Sequence, residues 1–294
     1  MKEKLKIGVV GLGSIGKRHF DNFAHLGHEV VGYDPATHKR EDWAPLLSCD
    51  GVVIASPTRM HASHIQGFHD LKIPILVEKP LVKTRSEWEK VPLDHVALVG
   101  YNLRFHSCVR KVRQWMAEGV IGQPLWARFT CAQHSDKEPY LRDGVILNWS
   151  HEIDLAIHLL GKAFLRTASA LRRTKYGEDL ADLILAHTNG CQSVVHLDYI
   201  ARPERRGFCI IGANGSIDAD LVTRQAFCKD NDGKIIHTHF GVDCFDSNYV
   251  TEANAFIALV TKKVKPENLV GCTAAQAHFV ADICLDAQEY INAV

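Results

Sequence analysis

The segment Gly11-Leu12-Gly13-Ser14-Ile15-Gly16 constrains this chain more than any other feature, because of what stands on either side of it. The apolar run Ile7, Gly8, Val9, Val10 leads into it, and a helical pattern leads out, with Phe20, Phe23 and Ala24 at helical spacing and Gly27 as a stop. Glycine triplets occur by chance in loops, whereas strand, G-x-G-x-x-G and helix in that order open a βαβ unit. Asp34 closes the next strand-like run, about 20 residues on, where this fingerprint carries its acidic residue. Gly11 permits the tight turn, Gly13 lets backbone approach a pyrophosphate, and Gly16 lets helix pack on strand. The helix amino end offers unpaired N–H groups to phosphate oxygens. Gly11, Gly13, Ser14, Ile15 and Gly16 are therefore expected along a dinucleotide, with Asp34 accepting hydrogen bonds from its ribose hydroxyls. The Asp34 charge repels a 2′-phosphate, so NAD is expected over NADP. His38, Lys39 and Arg40 just beyond keep NADP open.

Buried parallel strands are expected at 6–10, 29–33, 51–55, 75–78 and 96–100, separated by helical patterns. The character changes after Tyr101. Val109, Val112, Trp115 and Met116 mark one helix, and Ile153, Ala156, Ile157 and Leu160 mark another that ends at Gly161. Asn189-Gly190, Asn214-Gly215 and Asp232-Gly233 are hairpin signals flanked by β-branched runs, which predicts an antiparallel meander. Two helices close the chain: 249–262, with Val250, Ala253, Ile257 and Val260 on one face, and 273–292, opened by a Thr273/Gln276 capping box. The predicted fold class is α/β: an N-terminal Rossmann parallel sheet at 1–101, then an α+β domain with an open, mainly antiparallel sheet at 102–294. The last helix is free to pack back on the first domain, and the two domains are expected to share a cleft. A length of 294 residues fits two domains.

Composition removes several function classes. Lys plus Arg equals Asp plus Glu at 34 each, so no global field gathers nucleic acid or an anionic membrane. The first apolar run is far shorter than a signal h-region or a membrane span, and a cytoplasmic protein is expected. Nine scattered cysteines with no C-x-x-C pair argue against a disulfide framework or a zinc knuckle and read as reduced core residues. The 17 histidines show no H-E-x-x-H or comparable spacing, so no metal is expected.

Glu78-Lys79-Pro80 stands at the carboxyl end of a predicted buried strand, where open α/β sheets place ligands. By itself Lys79 reads equally as an active-site ammonium or a surface lysine. Taken with the glycine fingerprint, Ser56-Pro57-Thr58, Gly100-Tyr101-Asn102-Leu103-Arg104-Phe105 and Ser150-His151-Glu152-Ile153-Asp154, the chain resembles the glucose-fructose oxidoreductase and inositol dehydrogenase family (Gfo/Idh/MocA) over nearly its whole length. The resemblance implies a Rossmann domain followed by an open sheet that binds substrate and makes oligomer contacts. It implies hydride transfer between a nicotinamide and a sugar, cyclitol or sugar derivative.

It also implies that Lys79 lies beside nicotinamide and substrate, that Lys79-Pro80 is a candidate cis bond, and that His151 pairs with the lysine as general base. A neutral imidazole suits that role, with Lys79 stabilising developing charge on oxygen. Read without the resemblance, composition favours a helix-entry histidine satisfied by local backbone at His151. Many relatives carry an aspartate three or four residues before this histidine. Here Leu147 and Asn148 stand there, and Asn148 can hydrogen-bond a hydroxyl but not accept a proton. Ser56, Pro57, Thr58, His61, Glu78, Lys79 and Asn102 complete the cofactor candidates, and Lys79, Arg104, Asn148 and His151 the substrate candidates. Arg104 reads equally as an interdomain ion pair. Trp126, Trp149 and Tyr140 are possible sugar-stacking groups, and 134–143 is a candidate substrate loop. NAD-dependent elimination and non-catalytic nicotinamide binding are the competing functions. A homodimer or homotetramer through the second sheet is expected.

Overall fold

A computed structural model describes residues 4–34, 36–37, 40–91, 96–134, 144–172, 177–242, 247–264 and 270–293, with the side chains of 40–42 excepted. His38, Lys39, Tyr140 and most of the candidate loop at 134–143 lie outside the described residues. The chain forms two compact units, Met1–Phe105 with Phe245–Ala281, and His106–Cys244 with Asp282–Val294.

In the first unit, β1 (Lys6–Val10), α1 (Ser14–His25), β2 (Glu29–Tyr33), β3 (Gly51–Ile54), α2 (His61–His69), β4 (Ile75–Val77), the single turn α3 (Arg85–Trp88) and β5 (Val96–Val99) follow in order. All strand pairs are parallel, in the order β2-β1-β3-β4-β5. Every residue of β3 and β4 is buried, which is why these strands read as unbroken apolar runs. The strand order reverses between β1 and β3, and the glycine turn lies at the carboxyl end of β1. That is the switch point at which open α/β sheets hold ligands.

The chain returns to this unit through a long helix. The sequence reading places 102–294 in the second domain and lets the last helix pack back on the first; the structure gives 102–105 and 245–281, the first part of that helix included, to the first unit. The helix of Ser247–Val260 supplies Ala253, Phe256 and Leu259 to the same buried cluster as Leu5, Ile7, Val9, Phe23, Val53, Leu76 and Leu98. Its buried face also differs from the predicted stripe. Asn248, Glu252, Ala253, Phe256 and Leu259 point inward, while Val250, Ile257 and Val260 are only half-buried. A glutamate in the middle of the buried face disguised it.

The second unit contains α4 (Ser107–Ala117), β6 (Pro124–Ala132), the single turn α5 (Val145–Asn148), α6 (His151–Leu160) and β7 (Ala163–Leu171). Then come β8 (Leu180–His187), β9 (Gln192–Asp198), β10 (Arg205–Gly212), β11 (Gly215–Asp220), β12 (Gln225–Asp230) and β13 (Ile235–Phe240). The returning helix is α7 (Ser247–Val260), and α8 (Ala274–Ala293) follows. The eight strands form one sheet ordered β13-β12-β11-β10-β6-β9-β8-β7, antiparallel except between β6 and β9. The three predicted Asn-Gly and Asp-Gly turns join β8 to β9, β10 to β11 and β12 to β13.

Helix α6 is pinned to this sheet by an ion pair. Arg206 on β10 donates to both carboxylate oxygens of Glu152, at 2.7 and 3.2 Å, and Glu152 is 1% exposed. Glu152→Ala leaves a largely buried guanidinium without its anion, so a loss of about 3 kcal/mol is expected. It is read as a lower denaturant midpoint at unchanged slope. An unchanged midpoint refutes this account of α6.

No disulfide joins the eight described cysteines, and seven of them are buried. Burial pushes the thiols of Cys49, Cys108 and Cys191 up to about 11, so none is a ready thiolate at neutral pH. Among the described residues no helix is long and apolar enough to cross a membrane.

Candidate dinucleotide site and reactive groups

The turn after β1 is held from both neighbouring strands. Gly11 N–H donates to Tyr33 O at 2.7 Å, and Ala55 N–H donates to Val10 O at 2.8 Å. Gly11 has φ +90°, and a Cβ there would lie 2.7 Å from the Ser56 backbone. A Cβ on Gly16 would overlap the carbonyl oxygen of Gly11. Gly13 is different: it is exposed, and a Cβ on it meets nothing within 4 Å. The same Gly13 is the N-cap of α1 and provides no side-chain cap for the first N–H groups of the helix, and the space at its Cβ position is open. Two glycines are thus required by the protein's own packing, and the third leaves a cradle that a pyrophosphate fits.

Asp34 shapes that cradle. Its Oδ2 accepts from Leu12 N–H at 2.7 Å and its Oδ1 from Ala36 N–H at 2.9 Å. The carboxylate ties the glycine turn to the end of β2. Ser14 is exposed and Ile15 half-buried beside it.

The remaining cofactor candidates divide into those that line a surface and those that brace it. Pro57 is exposed and Thr58 half-buried, whereas the Ser56 hydroxyl is buried against His64 Nδ1 at 2.8 Å. His61, predicted as a cofactor contact, is 1% exposed and spans two loops, with Nε2 2.9 Å from Ser56 O and Nδ1 3.1 Å from Pro80 O. Burial lowers its pKa, so the ring is neutral and donates to one of these carbonyls at a time. Glu78 is buried too. It accepts from His19 Nε2 at 2.8 Å and from Lys79 N–H at 3.2 Å. Burial pushes the Glu78 carboxyl up, but the His19 hydrogen bond and charge, with Lys79, outweigh it and hold the pKa below the usual range. Lys79 itself is half-buried, and the Lys79-Pro80 bond is cis. Asn102 is buried in the short turn Asn102–Phe105.

Arg104 departs from its predicted substrate role. It is 1% exposed, and its guanidinium donates to Gly271 O at 3.2 Å and Gln276 Oε1 at 2.6 Å. It therefore anchors the start of α8, where the expected capping box is present, Thr273 N–H to Gln276 Oε1 and Gln276 N–H to Thr273 Oγ1.

In the second unit, Asn148 and His151 flank the step from α5 to α6. Asn148 Nδ2 donates to the Tyr199 hydroxyl oxygen, and Tyr199 packs edge-on against Trp149 at 4.4 Å between ring centroids. Trp149 is thus a packing residue. His151 is buried at the first turn of α6. Tyr199 was missed by the sequence reading because it looked like the last residue of a strand. His19 and Glu252 were missed because polar residues on helices read as solvent-facing.

Two family models match this chain, and they belong together. Residues 5–93 match an oxidoreductase family with an NAD-binding Rossmann fold, and residues 109–218 match the GFO/IDH/MocA C-terminal domain. The chain belongs to the Gfo/Idh/MocA oxidoreductase family.

Relatives bear this out. A D-apiose dehydrogenase of Rhizobium rhizogenes is 28% identical over a match covering 59% of this chain and 56% of that protein. The chain thus spans little more than half of that relative. The myo-inositol 2-dehydrogenase of Thermotoga maritima is 22% identical, with 89% of this chain and 90% of that protein covered. The structure of a levoglucosan dehydrogenase with NADH and levoglucosan matches with a TM-score of 0.84 at 19% identity, covering 99% of this chain and 98% of that one. The shared fold is the Gfo/Idh/MocA arrangement of parallel and mainly antiparallel sheets.

Proposed function

We propose that this chain transfers a hydride between NAD and a hydroxyl-bearing or keto carbon of a sugar, cyclitol or sugar derivative. The observation that carries the reading is the open Gly13 cradle at the uncapped start of α1, at the switch point of the parallel sheet and beside the fixed Asp34 carboxylate. Relatives named as dehydrogenases of apiose and inositol support the substrate class. When bound, the nicotinamide supplies the hydride acceptor or donor. Gly11, Gly13, Ser14, Ile15 and Gly16 hold the pyrophosphate, and Asp34 holds the ribose hydroxyls.

Lys79 directs its ammonium to the substrate oxygen and stabilises negative charge there. His151 takes the proton from that hydroxyl in oxidation and returns it in reduction. Asn148, fixed by Tyr199, orients a neighbouring hydroxyl and carries no proton.

A panel of sugars, inositols and sugar nucleotides, offered with NAD or NADP and read by absorbance of the reduced cofactor, tests the proposal. Turnover with NAD, at a higher kcat/KM than with NADP, is the expected result. An NADP preference removes the role of Asp34, and silence with both cofactors refutes hydride transfer and favours a non-catalytic binder.

We further propose a homodimer or homotetramer through the outer face of the second sheet. Exposed Ile184 and Ile211 and half-buried Trp126 and Val194 lie near one another in register there.

A further inference from the structure

Three polar groups far apart in sequence meet inside the first unit. His19 comes from α1, Glu78 from the end of β4 and Glu252 from α7, each contributing one ligand-type atom within 4.8 Å of the others. His19 and Glu252 are fully buried, and the Glu78 side chain is 9% exposed. Gly100 makes room for the Glu78 carboxylate, since a Cβ there would stand 3.0 Å from it. Among the described residues neither oxygen of Glu252 meets a hydrogen-bond donor. An ionised Glu252 would be an uncompensated buried charge facing a second one. A protonated Glu252 has one O–H to give, and a Glu78 carboxylate oxygen lies within 4.8 Å of it.

We propose that Glu252 is a positioning residue for Lys79: in its acid form it donates a hydrogen bond to Glu78, and with His19 it fixes the carboxylate that accepts the Lys79 backbone N–H. The inference rests on the reading in which Lys79 touches substrate.

A shared metal ion is the competing way to hold two buried carboxylates and an imidazole. One distance favours the hydrogen-bonded arrangement. His19 Nε2 lies 2.8 Å from Glu78 Oε1, a hydrogen-bond separation. Two ligand atoms on one ion at the usual bond lengths stand roughly 3 Å or more apart.

The charged and titratable groups around the cluster are Arg18 and His19 on α1, Tyr249 on α7, Lys79 after β4 and His61 on α2. Arg18 lies over the Tyr249 ring at 4.9 Å, and Tyr249 meets His19 edge-on at 6.1 Å. Burial and the neighbouring Glu78 charge raise the pKa of Glu252 well above the ordinary carboxyl range. A group raised in this way adds stability that is fully present below the ordinary carboxyl pKa. That stability is lost as pH rises through the folded value.

The test compares wild type, Glu252→Leu, Glu252→Gln and Lys79→Ala by infrared spectroscopy, thermal unfolding and pH–rate profiles with NAD. Wild type should show, near neutral pH, the carbonyl band of a protonated carboxylic acid that Glu252→Gln lacks. Glu252→Leu should lower kcat at least tenfold with little change in NAD affinity. Glu252→Gln, which keeps an N–H donor and does not titrate, should restore most of that activity and lose the alkaline decline contributed by Glu252. If Glu252→Leu fails to fold, the infrared band and the glutamine profile decide. Absence of the band, wild-type kcat in Glu252→Leu, or a stoichiometric divalent ion whose chelation destabilises the purified protein would each overturn the proposal while leaving hydride transfer intact. An unimpaired Lys79→Ala would instead defeat the reading of Lys79, and this positioning role with it.

Discussion

Lys79→Ala is expected to lower kcat by about 10²- to 10⁴-fold, with the affinity for NAD changed by less than about threefold. The effect is large because the side chain is assigned to an oxygen whose charge develops only as hydride leaves, so its loss falls on the transition state more than on ground-state binding. The structure explains why a flexible lysine can serve there. It leaves the sheet at the carboxyl end of β4, and its backbone N–H is held 3.2 Å from the Glu78 carboxylate. Single-turnover kinetics separate the chemical step from cofactor binding. A variant with an undiminished kcat would remove Lys79 from the chemistry.

Gly16→Ala is expected to be the most damaging substitution in the cradle. The added methyl would collide with the carbonyl oxygen of Gly11, a backbone atom that no rotamer change can move away. Either α1 withdraws from the turn or the turn opens, at a cost of about 3 kcal/mol or more. Apparent NAD affinity should fall by roughly 100-fold if that strain is released only in the unliganded protein. Gly13→Ala is the informative partner, because nothing lies within 4 Å of its Cβ. Its melting temperature should stay close to wild type, while NAD binding weakens because the methyl occupies ligand space. Titration calorimetry and thermal unfolding on both variants check the pair. Equal NAD affinity in Gly13→Ala and wild type would mean that the pyrophosphate passes elsewhere.

The parts of the fold that depend on local rules were legible in the sequence. The first two strands were predicted at the residues where they occur, and Gly27, Gly161 and the Thr273/Gln276 box mark real helix ends, because turn and cap chemistry is written in a few adjacent residues. Pattern failed where a polar residue is buried among elements distant in sequence. The buried stripe of α1 is Gly16, His19 and Phe23, and that of α7 runs through Glu252, so neither helix displayed its inner face as hydrophobicity. Arg104 failed for the same reason: its acceptors are a carbonyl and an amide 167 and 172 residues away. The glycine cradle was legible because its chemistry lies within six consecutive residues and one acidic residue downstream. Which of its residues line a surface and which brace it was not, since Ser56, His61 and Glu78 are distinguished only by neighbours from other elements.

The return of the chain through α7 bears on how the protein is made. The hydrophobic surface of β1, β3 and α1 is covered partly by Ala253, Phe256 and Leu259, which leave a ribosome long after the glycine turn has emerged. During synthesis the nucleotide-binding half must wait, with an apolar flank and two polar groups unsealed, until more than two hundred further residues have been added. Assembly of this protein is therefore expected to be a late and cooperative event, and a nascent chain stopped before α7 is the form most in need of a chaperone.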